Sequence, residues 1–359
     1  MKTFIIAEAG VNHNGDIKLA LQLVDEASAA GADAIKFQTF KAQNLATKKA
    51  IKAEYQSKTT SGDNTQFMML KNLELSNEMH FEINNYCQKK GIEFLSTPFD
   101  IDSLNFLDQE IGLKKLKIPS GEITNAPLLL SFAQTNSNII ISTGMSDLQE
   151  IEEALGVLAY GFLAENILKP KPSKELFKQA LQSVEGSTIL RDKVTVLHCI
   201  TEYPAPINEV NLKSITTLKN DLKLKVGYSD HTNGIFASLV AVSLGAEVIE
   251  KHLTLDKNLS GPDHKASLEP NEFKEMVQGI REVEQLLGDG IKRAMPSEIK
   301  NKIVARKSLV ASKHIKTGEV FSYENITMKR PGNGRSPIDF WDIIGTKAKQ
   351  EYEPEDLIL

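Results

Sequence analysis

The sequence predicts an α/β fold, a (β/α)8 barrel followed by a small C-terminal domain, and three observations carry that prediction. Short apolar runs rich in Ile and Val alternate with longer stretches of helical period from the first residues to about residue 290, the pattern of parallel βα units. There are eight such runs, at residues 4–10, 34–39, 93–99, 116–122, 138–144, 194–200, 226–232 and 247–254. With helical segments between them and one after the last, this is the count of a TIM barrel, whereas a doubly wound sheet normally uses about five or six strands. Near Pro296 the texture changes to short strands and turns.

The first run, FIIAEAG, is apolar up to Glu8, and residues 17–30 follow it with apolar side chains at helical spacing. After the second run, AIKFQT, residues 41–75 form a long polar connection, read as an active-site loop rather than a plain crossover. Residues 77–89 are again amphipathic. A second long segment, 159–192, follows the fifth run; a rigid turn is expected at its KPKPS string, 169–173, and an extra helix around 174–183. The last three runs complete the set, and residues 270–287 form the helix after the eighth. The charged stretch 289–300 reads as a linker between a barrel domain, 1–288, and a compact domain, 301–359, with short strands and turns at 308–312, 317–319 and 326–330. That second domain is small enough to need outside support for its core.

A net charge of −5 argues against a nucleic-acid surface. Two cysteines, Cys87 and Cys199, cannot make a disulfide framework and fit a reducing compartment. The apolar run at the N-terminus is too short for a signal peptide, and no stretch approaches a membrane span. A cytoplasmic location is expected, with neither nucleic acid nor membrane as partner.

In a barrel the active site lies at the C-terminal ends of the strands. Polar residues fall there on every run: Glu8; Lys36 and Gln38; Ser96 and Thr97; Lys117, Ser120 and Glu122; Ser142 and Thr143; His198; Ser229, Asp230 and His231; Glu250 and His252. Any one of them is more simply a satisfied structural residue, but eight strands ending this way point to a shared site. Lys36 and Lys117, flanked by hydroxyls at Thr97, Ser120, Ser142 and Ser229, suit a phosphate or carboxylate. If the apolar neighbours Ile35, Phe37, Leu116 and Ile118 face the helices, strand alternation aims both lysines into the barrel. His231 and His252 end adjacent strands and can share one divalent metal with open positions, so Mn2+ or another first-row metal fits better than a closed structural zinc.

These strings carry a family resemblance. AEAGVNHNG at 7–15, KFQ at 36–38, STPF at 96–99, KIPSGE at 117–122 and STGM at 142–145 resemble the bacterial sialic acid synthase family, which makes N-acetylneuraminate or legionaminate. So do HC at 198–199, EYP at 202–204, GYSDH at 227–231, IEKH at 249–252 and SGPD at 260–263, while KRPGNG at 329–334 is similar to that family's antifreeze-like (SAF, β-clip) domain. The resemblance implies that His231 and His252 bind a divalent metal, Mn2+ first and Mg2+ or Co2+ as alternatives. It implies that Lys36, Thr97, Lys117, Ser120, Ser142 and Ser229 hold phosphoenolpyruvate, and that Glu8, Gln38, Glu122, Tyr203 and Asp263 surround the sugar and the reacting centre. Arg330 would reach the neighbouring subunit's site in a domain-swapped homodimer. Thr201 stands where some members have Asn, and 159–192 is longer than the family's connection.

The implied reaction condenses phosphoenolpyruvate with an N-acetylated mannose-type sugar. Carbon 3 attacks the aldehyde, water captures carbon 2, and phosphate leaves by C–O cleavage, with Glu122 as leading proton carrier and Glu8 and Asp263 assisting. N-acetylmannosamine would give N-acetylneuraminate, and 2,4-diacetamido-2,4,6-trideoxymannose would give legionaminate. The competing readings are a pseudaminate synthase, a Schiff-base aldolase using Lys117 or Lys36, and a non-catalytic sugar-binding protein.

Overall fold

The structure, a computed structural model, describes residues 2–60, 65–163 and 171–359. It divides into two compact units, Met1–Gly288 and Asp289–Leu359. In the first, eight parallel strands pair in the order β3-β2-β1-β8-β7-β6-β5-β4. They are β1 (Phe4–Gly10), β2 (Ala34–Thr39), β3 (Glu93–Pro98), β4 (Lys115–Ile118), β5 (Asn138–Ser142), β6 (Val194–Cys199), β7 (Lys225–Asp230) and β8 (Val248–His252). The barrel closes where β3 and β4 lie side by side without a paired register, and Lys115 Nζ reaches Glu93 Oε2 across that seam at 3.0 Å.

The barrel helices are α1 (Ile17–Ala30), α2 (Asn77–Lys90), α3 (Ile101–Asn105, continued by a π-type turn at Phe106–Ile111), α4 (Ala126–Gln134), α5 (Leu148–Leu163), α6 (Lys213–Leu222), α7 (Phe236–Ser243) and α8 (Pro270–Leu287). Local signals bound them. Asp16 caps α1 by accepting from Lys18 N at 2.8 Å, and Gly31 ends it with φ 85°, a left-handed conformation that only glycine adopts freely.

The long connection after β2 folds into helices Ala42–Leu45, Glu54–Thr59 and Gln66–Leu73. The extra helix expected around 174–183 is Lys174–Gln182, and a second, unanticipated helix, Val184–Lys193, follows directly. Ser183 makes the junction: its Oγ donates to Ala180 O at 2.8 Å and accepts from Gly186 N at 2.9 Å, closing one helix and capping the next. The turn expected at 169–173 lies partly outside the described residues. Some strands are also shorter than their apolar runs. β4 ends at Ile118 because Pro119 has no N–H to donate, and Ser120–Glu122 becomes a 3-10 turn; β7 ends at Asp230, so His231 sits on the loop just beyond.

Strand alternation sorts the side chains into two cores. Ile5, Ile35, Phe37, Leu116, Ile118, Val196 and Ile249 pack outward under the helices. Ile6, Ala34, Leu95, Ile140, Leu197 and Val248 form an apolar layer inside the barrel. Gly227 belongs to that layer on β7, where a Cβ would lie 2.4 Å from Val248 O and 2.6 Å from Leu197 Cδ2.

In the second unit, β9 (Ser308–Ala311) pairs antiparallel with β10 (Ile326–Lys329). Leu309, Ile315, Phe321, Phe340, Ile343 and Tyr352 are the centre of its core. The stretch read as a linker is partly structured, with a 3-10 turn at Pro296–Glu298 and a helix, Ile299–Ala305. Among the described residues, no helix is long and apolar enough to cross a membrane.

Gly227→Ala should lower stability by about 1–3 kcal/mol, the usual cost of overpacking against backbone that cannot retreat. Thermal melts of the two proteins check this, and an unchanged midpoint would mean that the inner layer is not close-packed there.

Candidate active site

Above the apolar layer the inward positions turn polar. Glu8 on β1, Lys36 on β2, Lys117 on β4 and Glu250 on β8 are all almost completely buried. Lys36 Nζ lies 2.6 Å from Glu8 Oε2 and 3.6 Å from Glu250 Oε2, and Lys117 Nζ lies 3.5 Å from Glu250 Oε1. Thr97 Oγ1 accepts from Lys36 at 2.9 Å, and Ser229 Oγ donates to Glu250 at 2.9 Å. Burial works against the Glu250 carboxylate, but Lys117 and Lys36 overcome it and hold its pKa down at about 2. For Glu8, burial prevails over the pull of Lys36, and its pKa rises to about 7. Burial also lowers Lys117, whereas at Lys36 burial is outweighed by Glu250 and Glu8 and the pKa rises.

Toward β4, β5 and β6 the wall is made of hydroxyls. Ser120 Oγ accepts from Gly144 N at 2.9 Å and meets Cys199 Sγ at 3.2 Å. Ser142 Oγ and Thr201 Oγ1 are buried with no hydrogen-bond partner. A Cβ on Gly144 would stand 2.1 Å from Thr201 Oγ1 and 2.8 Å from Cys199 Sγ, so only glycine lets this backbone amide approach. Unsatisfied hydroxyls beside a buried ammonium are the donors a phosphate or carboxylate needs.

Toward β7 and β8 stand His231 and His252, their ring centroids 5.6 Å apart. His231 Nδ1 donates to Ile200 O at 2.6 Å, which makes Nε2 the nitrogen that carries the lone pair, 3.4 Å from Ser229 Oγ. Burial lowers the His231 pKa to about 4 and lowers that of His252 well below the usual range. Burial thus favours the neutral form of both rings, and His252 Nδ1 is buried without a partner. Among the described residues no three His, Cys, Asp or Glu side chains form a metal cluster. His231 and His252 are the two side chains here that could ligate a divalent ion, as a pair of imidazoles.

The mouth completes a cavity of about 390 Å3. Tyr203 packs its ring 4.1 Å from that of His231. Asp263 is buried with no nearby charge, and burial alone raises its pKa to about 7. Glu122 is half-buried on the turn after β4 and accepts from Asn125 Nδ2 at 2.7 Å. Gln38 Nε2 sits 3.5 Å from Glu8 Oε1. Across the mouth, Leu45, Met69, Leu70 and Leu73 of the connection after β2 form an apolar wall with Phe99.

Residues 23–292 match the NeuB family, and residues 306–359 match the SAF domain. The chain belongs to the NeuB family. It is similar to the N,N'-diacetyllegionaminic acid synthase of Campylobacter jejuni, 53% identical over 99% of both chains. It is 45% identical to the protein of the same name from Legionella pneumophila, over 100% of this chain and 94% of that one. Among solved structures it is similar to the N-acetylneuraminic acid synthetase of Leptospira borgpetersenii in complex with citrate, with a TM-score of 0.67, 34% identity and coverage of 84% of this chain and 90% of that one.

The residues to which the family resemblance gives a role in this NeuB-family chain, Arg330 apart, all line this cavity. Arg330 lies in the second unit, exposed, with Nε donating to Ala305 O at 2.9 Å. Four strand-end residues expected at the mouth are absent from its lining: Thr143, whose Oγ1 donates to Leu197 O at 2.9 Å, and three of opposite parity that face the helices instead. Ser96 Oγ bonds Thr39 Oγ1 at 2.7 Å, His198 Nε2 donates to Val210 O at 2.7 Å, and Asp230 pairs outside the barrel with Lys251 at 3.0 Å. Sequence reasoning set Glu250 at the mouth but passed over its role: it shares the parity of His252 and stands between the two lysines. Cys199 was passed over too, and Thr201, whose contact the resemblance left in doubt, is in the lining.

The raised Asp263 pKa sets a pH dependence. The folded chain retains a proton that the unfolded chain releases, so folding loses stability as pH rises from near 4 through about 7. Asp263→Asn, neutral throughout, should therefore gain in melting temperature relative to the parent chain between pH 5 and pH 8. Parallel melting curves over that range would refute the burial assignment.

Proposed function

We propose that this chain condenses phosphoenolpyruvate with an N-acetylated mannose-type sugar, giving a nine-carbon acid of the sialic type and phosphate. The acceptor we assign is 2,4-diacetamido-2,4,6-trideoxymannose and the product is legionaminate. One observation carries the reading: a single cavity joins a buried lysine pair with unsatisfied hydroxyls to two neutral imidazoles. The first set suits an anion, the second a metal-polarised carbonyl, and the reaction needs both. The two relatives named as diacetyllegionaminic acid synthases support the choice of sugar. So does the apolar wall of Leu45, Leu70 and Phe99, which suits a methyl group better than a hydroxymethyl.

Lys36 and Lys117 bind the charges of phosphoenolpyruvate, helped by Thr97, Ser120, Ser142, Ser229 and the Gly144 amide. This orients carbon 3 toward the sugar aldehyde. His231 and His252 would hold Mn2+, with Mg2+ or Co2+ as substitutes; when bound, the ion supplies Lewis acidity at the aldehyde oxygen. Attack by carbon 3 forms the carbon–carbon bond, water adds at carbon 2, and the phosphate leaves with its bridging oxygen. Glu8 and Asp263, raised toward neutrality, are placed to take the water's proton or return one to the sugar oxygen, and Glu122 serves at the rim. Gln38 and Tyr203 orient the sugar. The two free, buried cysteines support a cytoplasmic setting.

Purified protein offered phosphoenolpyruvate with each acceptor should turn over the diacetamido sugar best. A chelator should abolish turnover and Mn2+ restore it, and label in the bridging oxygen should appear in phosphate. Preference for N-acetylmannosamine, or for the precursor of pseudaminate, would overturn the sugar assignment. Full activity in chelator, or a pyruvate adduct trapped by borohydride, would overturn the mechanism in favour of an aldolase.

We also assign a domain-swapped homodimer in which Arg330 meets the acyl group of the sugar bound by the partner. The planar fork of an arginine suits an amide carbonyl, and Phe236 and Val240 on α7 expose an apolar stripe that suits a subunit contact. Mixing His231→Ala with Arg330→Ala protein under exchange should restore activity, since one composite site then carries neither lesion. Exchanged dimers that stay inactive would exclude the trans role.

A further inference from the structure

One buried ion pair stands directly behind the two imidazoles and takes no part in the cavity. Asp230 on β7 and Lys251 on β8 are register partners, both 0% exposed, with Nζ 3.0 Å from Oδ2. Asp230 also accepts from Thr232 N at 2.8 Å, Thr232 Oγ1 at 2.7 Å, Ser238 Oγ at 2.7 Å and Tyr228 OH at 3.3 Å. Lys251 Nζ donates in turn to Thr232 O at 2.6 Å. The residues on both sides of His231 are thereby fastened to the residue before His252.

Position gives the pair its meaning. The β7–β8 register ends at Asp230 and Lys251, so no backbone ladder fixes the strand separation where the imidazoles begin. The side-chain bridge replaces it there. Alternation sends the ion pair outward and the adjacent imidazoles inward, so any splaying of the pair opens the gap between the rings. A buried ion pair is weak evidence for stability, because desolvation offsets its attraction. Its satisfaction by five donors, at the one place where two ligands must keep their spacing, points to positioning.

We propose that Asp230 and Lys251 are positioning residues that set the spacing of His231 and His252, and through it the affinity of the site for a divalent first-row cation. This rests on the metal reading above. The test is titration of the full-length chain with Mn2+ alone, following free Mn2+ by electron paramagnetic resonance, with melting temperature measured alongside. Asp230→Asn should weaken Mn2+ binding ~10–100-fold and lower kcat with little change in the KM for phosphoenolpyruvate. The paired apolar replacement Asp230→Leu with Lys251→Met should regain stability, as such swaps often do, without regaining Mn2+ affinity. Ser238→Ala removes one donor and leaves the ion pair standing, and should cost a few-fold in affinity. If the variants that fold bind Mn2+ as tightly as the parent chain, the positioning role is wrong while the metal reading stands. A parent chain that binds no Mn2+ overturns both.

Discussion

Glu8, Lys36, Lys117 and Glu250 can be buried only together. Removing a carboxylate or ammonium from water costs several kcal/mol even in a real protein, and each of these four is nearly sealed inside the barrel. The cost is bearable because the signs interleave: Lys36 stands between Glu8 and Glu250, and Glu250 stands between Lys36 and Lys117. The four strands involved must keep their stagger for the charges to meet, so the apolar layer beneath, from Ile6 to Val248, works as a platform that sets their height.

That arrangement also supports the proposed binding of an anion. Two ammonium groups share their carboxylate partners rather than owning them, and Glu8 is pushed toward neutrality by burial. An incoming phosphate or carboxylate finds cations and hydroxyls already oriented, with little reorganisation needed on binding. The same dryness lowers the pKa of both imidazoles beside them. One physical condition, exclusion of water, thus acts on both the lysine–carboxylate cluster and the imidazole pair that the proposed function uses.

Much of this was legible in the chain. The eight apolar runs gave the barrel, and the apolar flanks of Lys36 and Lys117 gave their inward direction. Parity also explains the misreadings. Ser96, His198 and Asp230 were read as members of the mouth because they are polar and near strand ends, yet each is one residue out of phase with an inward neighbour: Thr97, Cys199 and Ser229. Glu250, two residues before His252, was in phase and was read at the mouth, but its part between the two lysines was passed over. The helix Val184–Lys193 escaped notice because its apolar content is low and its start is a serine that also ends the helix before it.

By itself the sequence determined the period of the elements, the side of each strand a residue faces, and the kinds of chemical group available at the mouth. These are local properties, fixed by backbone geometry over a few residues. Only the tertiary structure decided which groups meet: that Lys117 from β4 shares Glu250 with Lys36 from β2, that the carbonyl of Ile200 sets the His231 tautomer, and that Leu45 and Leu70 wall the mouth. Such meetings depend on the stagger of strands around a closed barrel and on where a long connection folds back. The residues involved lie far apart along the chain, and no short-range pattern records the distance between them.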